Sequence, residues 1–183
     1  MRKQCHGRGG LRLIWRGIAA LAVALNAPLA HAEPGEDHPQ VARFPGAHIE
    51  QYDFKQYEEF VLLLSKPVNR NSEYVADKVL PLEGQVTYIH YEVPKSASPL
   101  QVFRNYQSAL RRSGFTTLFV CERPCTTNNL DNFSKLMKAS KHYLNYATDN
   151  QFLAAQRGNT YVSLWVNDGG VWQHVVDKEA LND

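Results

Sequence analysis

Cys121 and Cys125, in the stretch "FVCERPCTT", are the residues whose type and spacing offer the most chemistry; the only other cysteine is Cys5. Such a pair admits three chemistries: a structural disulfide, a redox dithiol, or half of a metal site. A redox pair needs a thiolate of lowered pKa, and Arg123 between the two would favour one. The spacing is C-x-x-x-C, however, not C-x-x-C, and the pair follows a strand-like run instead of opening a helix whose dipole would hold a thiolate. A zinc site would want two further ligands; the nearest histidine is His142, and no second C-x-x-C or H-x-x-x-H occurs. The expectation is a structural disulfide, with a thiol–disulfide oxidoreductase as the alternative.

Beyond the first 32 residues lie five histidines: His38, His48, His90, His142 and His174. His90 and His174 sit mid-strand beside Tyr91 and Trp172. If their strands are neighbours, the rings could share a metal or serve a hydrolase pocket; two ligands without a third make packing the stronger expectation. No metal and no cofactor is expected. Glu58 and Glu59 are adjacent, so a strand would point them to opposite faces, where they read as surface charge and not as an acid/base couple. G-x-S-x-G, H-E-x-x-H, phosphate-loop and G-x-G-x-x-G motifs are all absent. The aromatic residues Tyr88, Tyr91, Trp165 and Trp172 read as the core of a small sheet. Tyr161 and Trp172 are the two expected to reach the surface and contribute to recognition of a peptide or glycan.

The N-terminus sets the compartment in which these groups would act. Arg2, Lys3, Arg8, Arg12 and Arg16 precede an uncharged apolar run, Gly17 to Ala30, which ends in the small-x-small pattern Ala30 to Ala32. That is the order of a secretory signal peptide. The run is shorter than the about 20 apolar residues a bilayer core needs, and Asn26 and Pro28 interrupt it. Cleavage after Ala32 would leave 151 of the 183 residues, enough for one domain. It would also remove five basic residues and no acidic one, leaving 15 basic against 18 acidic and a net charge of −3. A mildly acidic domain gives no basic footprint for nucleic acid. An exported chain with two cysteines meets an oxidising environment, where such pairs close.

The elements that must position these residues are read from hydrophobic period and punctuation. "HIEQYDF" (His48 to Phe54) alternates as a strand, and Glu59 to Ser65 is a short apolar strand before Pro67. Asn69 to Lys78 is polar and reads as a loop. Leu82 to Val93 is a strand of branched and aromatic residues stopped by Pro94. Ser98 as N-cap, Pro99 in the first turn and Gln101 three after the cap open a helix over Pro99 to Ser113. Its expected apolar stripe is Leu100, Phe103, Tyr106, Ala109 and Leu110; Arg111 and Arg112 favour its end and Gly114 terminates it. Phe115 to Cys121 is a strand. The Thr- and Asn-rich stretch after the cysteines reads as a loop with one helical turn. Strands over Gln151 to Gln156, Thr160 to Val166 and Val171 to Val176 are joined by "RGN" and the hairpin sequence "NDGG". The expected fold class is α+β: an antiparallel sheet with one amphipathic helix packed on one face and a C-terminal β-meander. The expected organisation is a signal peptide at 1–32, an extended leader at 33–47, one domain at 48–177 and a polar tail at 178–183.

Several segments together carry a resemblance. They are "DHPQVARFPGAHI", the aromatic strand ending at Pro94, "SPLQVFRNYQSALRRSGFTTLFVC" with a second cysteine shortly after, and "QFLAAQRGNTYVSLWVND". From about Asp37 to Val176 the chain resembles the exported proteobacterial family known as domain of unknown function 4892. It is also similar to the module found ahead of OmpA-like peptidoglycan-binding domains. In that family a cysteine pair after the strand is usual; Cys121 and Cys125 match it with a shorter gap. The family transfers no activity and no functional residues, and the short tail "DKEALND" carries no OmpA-like domain. What the resemblance and the residues imply is a periplasmic or envelope module, without catalysis and without a membrane span in its mature part, that binds a protein or envelope polymer.

Overall fold

The computed structural model describes residues 35–126, 133–139 and 150–179. The elements are β1 (His48–Leu63), β2 (Val68–Arg70), β3 (Glu73–Val75), β4 (Val79–Glu92), α1 (Pro99–Arg112), β5 (Thr116–Thr126), α2 (Ser134–Met137), β6 (Asn150–Arg157), β7 (Thr160–Asn167) and β8 (Gly170–Lys178). Six strands form one antiparallel sheet in the order β1-β4-β8-β7-β6-β5, and β2 and β3 pair as a separate hairpin.

The expected α+β class is overturned. Of the described residues 56% are strand and 15% helical, so the fold is β-rich. The difference comes from segments whose sequence disguises their pairing. The two runs at His48 to Phe54 and Glu59 to Ser65 belong to a single long strand, β1, that pairs with β4 from His48↔Glu92 to Leu63↔Val79 across two irregularities. The polar stretch after Asn69, expected as a loop, folds into the β2–β3 hairpin, with Asn71 and Ser72 at positive φ in its turn. Strand β5 runs on through both cysteines to Thr126.

Both faces of the sheet are covered, which is why β7 is buried along all eight of its residues. On one face α1 places Val102, Phe103, Tyr106 and Leu110 against Ile89, Tyr91, Leu153, Leu164, Val166 and Val175. Burying side chains of this size stabilises by about 1.5–3 kcal/mol each. The helix begins where its sequence says it should. The hydroxyl of Ser98 accepts the N–H of Gln101 at 3.2 Å, and Pro99 occupies the first turn. Its stripe is shifted from expectation: Val102 is buried, whereas Leu100 is 43% exposed. On the opposite face Phe60, Leu62 and Leu63 of β1 meet Tyr88, Phe152, Trp165, Trp172 and Val176, joined by Phe133 and by Met137 of α2.

Residues 37–47, expected as part of an extended leader, are built of turns and lie on the helix-covered core. Val41, Phe44 and Ala47 are buried there. Polar bonds fix the segment. Asp37 accepts the Tyr91 hydroxyl at 2.8 Å and the Arg43 Nε–H at 2.8 Å. The Phe44 N–H donates to the Tyr106 hydroxyl at 3.2 Å, and His38 Nε2 lies 2.9 Å from an Asp177 carboxylate oxygen. Burial, then the bond to Asp37, pushes the Tyr91 phenol well above its ordinary range, so it remains a donor. No helix among the described residues is long and apolar enough to cross a membrane.

Candidate functional site

The cysteines are joined as a disulfide with Cα atoms 5.1 Å apart. The ladder explains their place. Cys121 faces Phe152 and Thr126 faces Asn150, so the four residues 122–125 lie opposite Gln151 alone and form an excursion from the β5–β6 ladder. The bond closes the base of this excursion. Cys125 is fully buried and Cys121 is 9% exposed, both in the core cluster around Phe152 and Trp165. Arg123 is exposed at the excursion's tip. A redox pair needs an accessible, electropositive sulfur, and these two instead face apolar side chains.

The strands bearing His90 and His174 are neighbours, as the sequence allowed, but the register offsets the two residues. His90 faces Trp172, and His174 faces Tyr88. His90 stacks on Trp172 with ring centroids 4.4 Å apart and planes at 15°. His174 packs between Phe60 and Tyr88, each centroid 4.9 Å away. His142 lies outside the described residues. Glu58 and Glu59 are exposed; Glu59 pairs with Lys138, and Glu58 accepts the Glu59 N–H. Tyr161 and Trp172, expected at the surface, are 9% and 2% exposed. The reason is that β8 pairs with β4 as well as β7, placing both residues inside a covered sheet and not on an edge hairpin.

The sheet instead offers a site where the start of β1 meets the end of β4. A cleft of about 650 Å³ lies there, bounded by Glu50, His90 and Glu92, the β4–α1 connection from Val93 to Pro99, and Asp168 and Gly169 of the β7–β8 turn. A β-bulge lies in its acidic wall. The register runs His48↔Glu92, Ile49↔Tyr91, then Gln51↔His90, leaving Glu50 as the extra residue. A bulge turns a strand's alternation by one residue and re-aims a side chain. Ile49 and Tyr52 therefore pack towards the helix-covered core, while Glu50 joins His48 and Glu92 on the other side. His48 Nε2 lies 2.9 Å from Glu92 Oε2, and the donor atoms of His48, Glu50 and Glu92 all fall within 4.8 Å of one another. All three residues are exposed.

Behind them, burial pushes the His90 imidazole below its ordinary pKa. The Gly169 carbonyl, 3.4 Å from Nε2, and the Glu50 and Glu92 carboxylates oppose that shift. The net direction keeps the ring neutral at pH 7. A signal for this cluster existed in the sequence as two His-x-Glu triplets, His48-Ile49-Glu50 and His90-Tyr91-Glu92. A period of two puts the ends of each triplet on one face of a strand, and antiparallel pairing brings the triplets together. Lys95 adds one positive group to the lining. The arrangement suits a cation or a ligand carrying one, and the pocket is of the size of small-ligand sites. No protein-family model matches the chain, and no curated protein matches it significantly.

Proposed function

We propose that this chain is a non-catalytic binding module of the bacterial cell envelope, acting in the periplasm after loss of residues 1–32 and engaging an envelope protein or polymer through the Glu50–His90–Glu92–Asp168 cleft. The observation that carries the proposal is that open cleft: a concave, charged surface at one end of a sheet whose Tyr88, Tyr91, Trp165 and Trp172 are buried. Support comes from the charged, apolar and small-residue order of the N-terminus. A disulfide suits an oxidising compartment. Burial of both sulfurs favours a structural pair over an oxidoreductase. The resemblance to the domain of unknown function 4892 family belongs to the same proposal and rests on the segments quoted above.

The test is in-cell cross-linking of the affinity-tagged full chain, followed by identification of attached envelope components. The expected result is one reproducible partner, lost when Asp168→Arg places a bulky cation in the cleft wall while circular dichroism shows an unchanged fold. Recovery of no reproducible partner, or equal recovery with the variant, overturns the proposal.

A further inference from the structure

We propose that His48, Glu50 and Glu92 form a binding site for a divalent first-row transition-metal ion, with Zn²⁺ as its representative. The inference deepens the cleft's role as a ligand site, and it rests on three separate observations. The donor set is one imidazole and two carboxylates, a mixture suited to such ions, whereas an all-oxygen cluster would point to calcium or magnesium. The spacing fits: metal–ligand bonds of about 2.1 Å hold ligand atoms roughly 3–3.5 Å apart. His48 Nε2 and Glu92 Oε2 are already 2.9 Å apart, and Glu50 closes the set within 4.8 Å on an exposed side chain able to rotate inward.

The backbone supports this convergence: period two along each strand and the antiparallel pairing His48↔Glu92 bring both His-x-Glu triplets onto one face at this corner. The fourth member of the two triplets, His90, is held in place beside the site by its stack on Trp172 and lines the same cleft as Glu50 and Glu92. Glu50 and Glu92 border the cleft, and three protein ligands would leave coordination positions open, as in zinc sites that accept an exogenous donor. An oxygen or nitrogen donor from a bound partner would enter there.

Binding of Zn²⁺ to the purified full chain, by isothermal titration calorimetry, tests the site directly and needs no envelope partner. Failure here therefore leaves the partner experiment standing, and the reverse also holds. The expected result is saturable binding with a one-to-one component that His48→Ala and Glu50→Gln each weaken by about tenfold or more. Asp77→Asn, an exposed carboxylate paired with Arg70 beside the β2–β3 hairpin and outside the cleft, leaves that component unchanged. Co²⁺ substitution adds a spectroscopic readout: visible absorption bands in the wild-type chain that the His48→Ala variant loses. All three ligands are exposed, so these variants keep the fold, which circular dichroism verifies. Absence of a one-to-one component, or a component indifferent to His48→Ala and Glu50→Gln, overturns the inference.

Discussion

Removing the Cys121–Cys125 bond separates a brace from a reactive pair. The two cysteines are only four positions apart. On the chain-entropy relation, freeing a loop this short lowers stability by about 2 kcal/mol. Replacing both residues by alanine adds a second cost, because the sulfur atoms pack among Phe133, Met137, Phe152 and Trp165. Deleting a buried group of that size costs about 1 kcal/mol per site. Reduction of the native chain should therefore cost about 2 kcal/mol, and the Cys121→Ala/Cys125→Ala double variant about 4 kcal/mol. For a domain of this size a loss of 2 kcal/mol lowers Tm by roughly 4–8 °C. Urea unfolding of the oxidised, reduced and double-alanine chains, followed by tryptophan fluorescence, measures all three in one series. Because Cys125 is fully buried, the oxidised chain should also resist a mild dithiol until urea opens the core. A reduced chain as stable as the oxidised one would refute the brace. So would thiols that appear rapidly under mild reductant in the folded state and react with an alkylating agent faster than free cysteine.

Gly170→Ala should destabilise by about 2–4 kcal/mol, seen as a lower urea midpoint. Gly170 has φ +128°, and an added Cβ would sit 2.2 Å from the Tyr91 carbonyl oxygen; an unchanged midpoint would contradict the close approach of β8 to β4. Asp177 governs acid stability. Burial raises its carboxyl pKa, but hydrogen bonds from His38 and the Thr160 hydroxyl outweigh this, and the net is below the ordinary value. A depressed carboxylate contributes stability that is complete above its unfolded pKa of about 3.9 and lost as pH falls through the folded value. Asp177→Asn should therefore lower stability at pH 7 and flatten the decline below about pH 4; parallel declines in the two chains would refute the assignment. Tyr106→Phe removes the acceptor of the buried Phe44 N–H and should cost about 1–3 kcal/mol, with faster amide exchange across residues 41–47 as the local readout.

What was legible in the sequence was local. Ser98, Pro99 and Gln101 announce α1 because a helix start is decided within one turn, and "NDGG" announces the β7–β8 hairpin because its pairing needs no distant partner. The β2–β3 turn was hidden because Asn71 and Ser72 adopt positive φ with no glycine to mark it. The burial of Tyr161 and Trp172 was hidden for another reason. It depends on β8 pairing with β4, some eighty positions earlier, and on Phe60 to Leu63 crossing the second face. Period alone puts Leu100 on the helix stripe, yet Val102 faces the sheet, since a stripe five residues wide leaves its rotation to the packing partner. The acidic corner needed the β1–β4 register. The paired His-x-Glu triplets were visible, but nothing local says that two distant triplets meet.

Strand order also constrains how the molecule can be assembled. β8 is the last of the described strands in chain order, yet it sits in the middle of the sheet between β4 and β7. Until Gly170 to Lys178 arrive, the sheet exists only as two separate pieces, β1–β4 and β5–β6–β7, each with an open apolar edge that invites pairing with another molecule. Closure is thus a finishing event, comparable to setting a keystone. A chain whose synthesis has not yet released Gly170 to Lys178 cannot perform it, and both open edges stay unpaired until then.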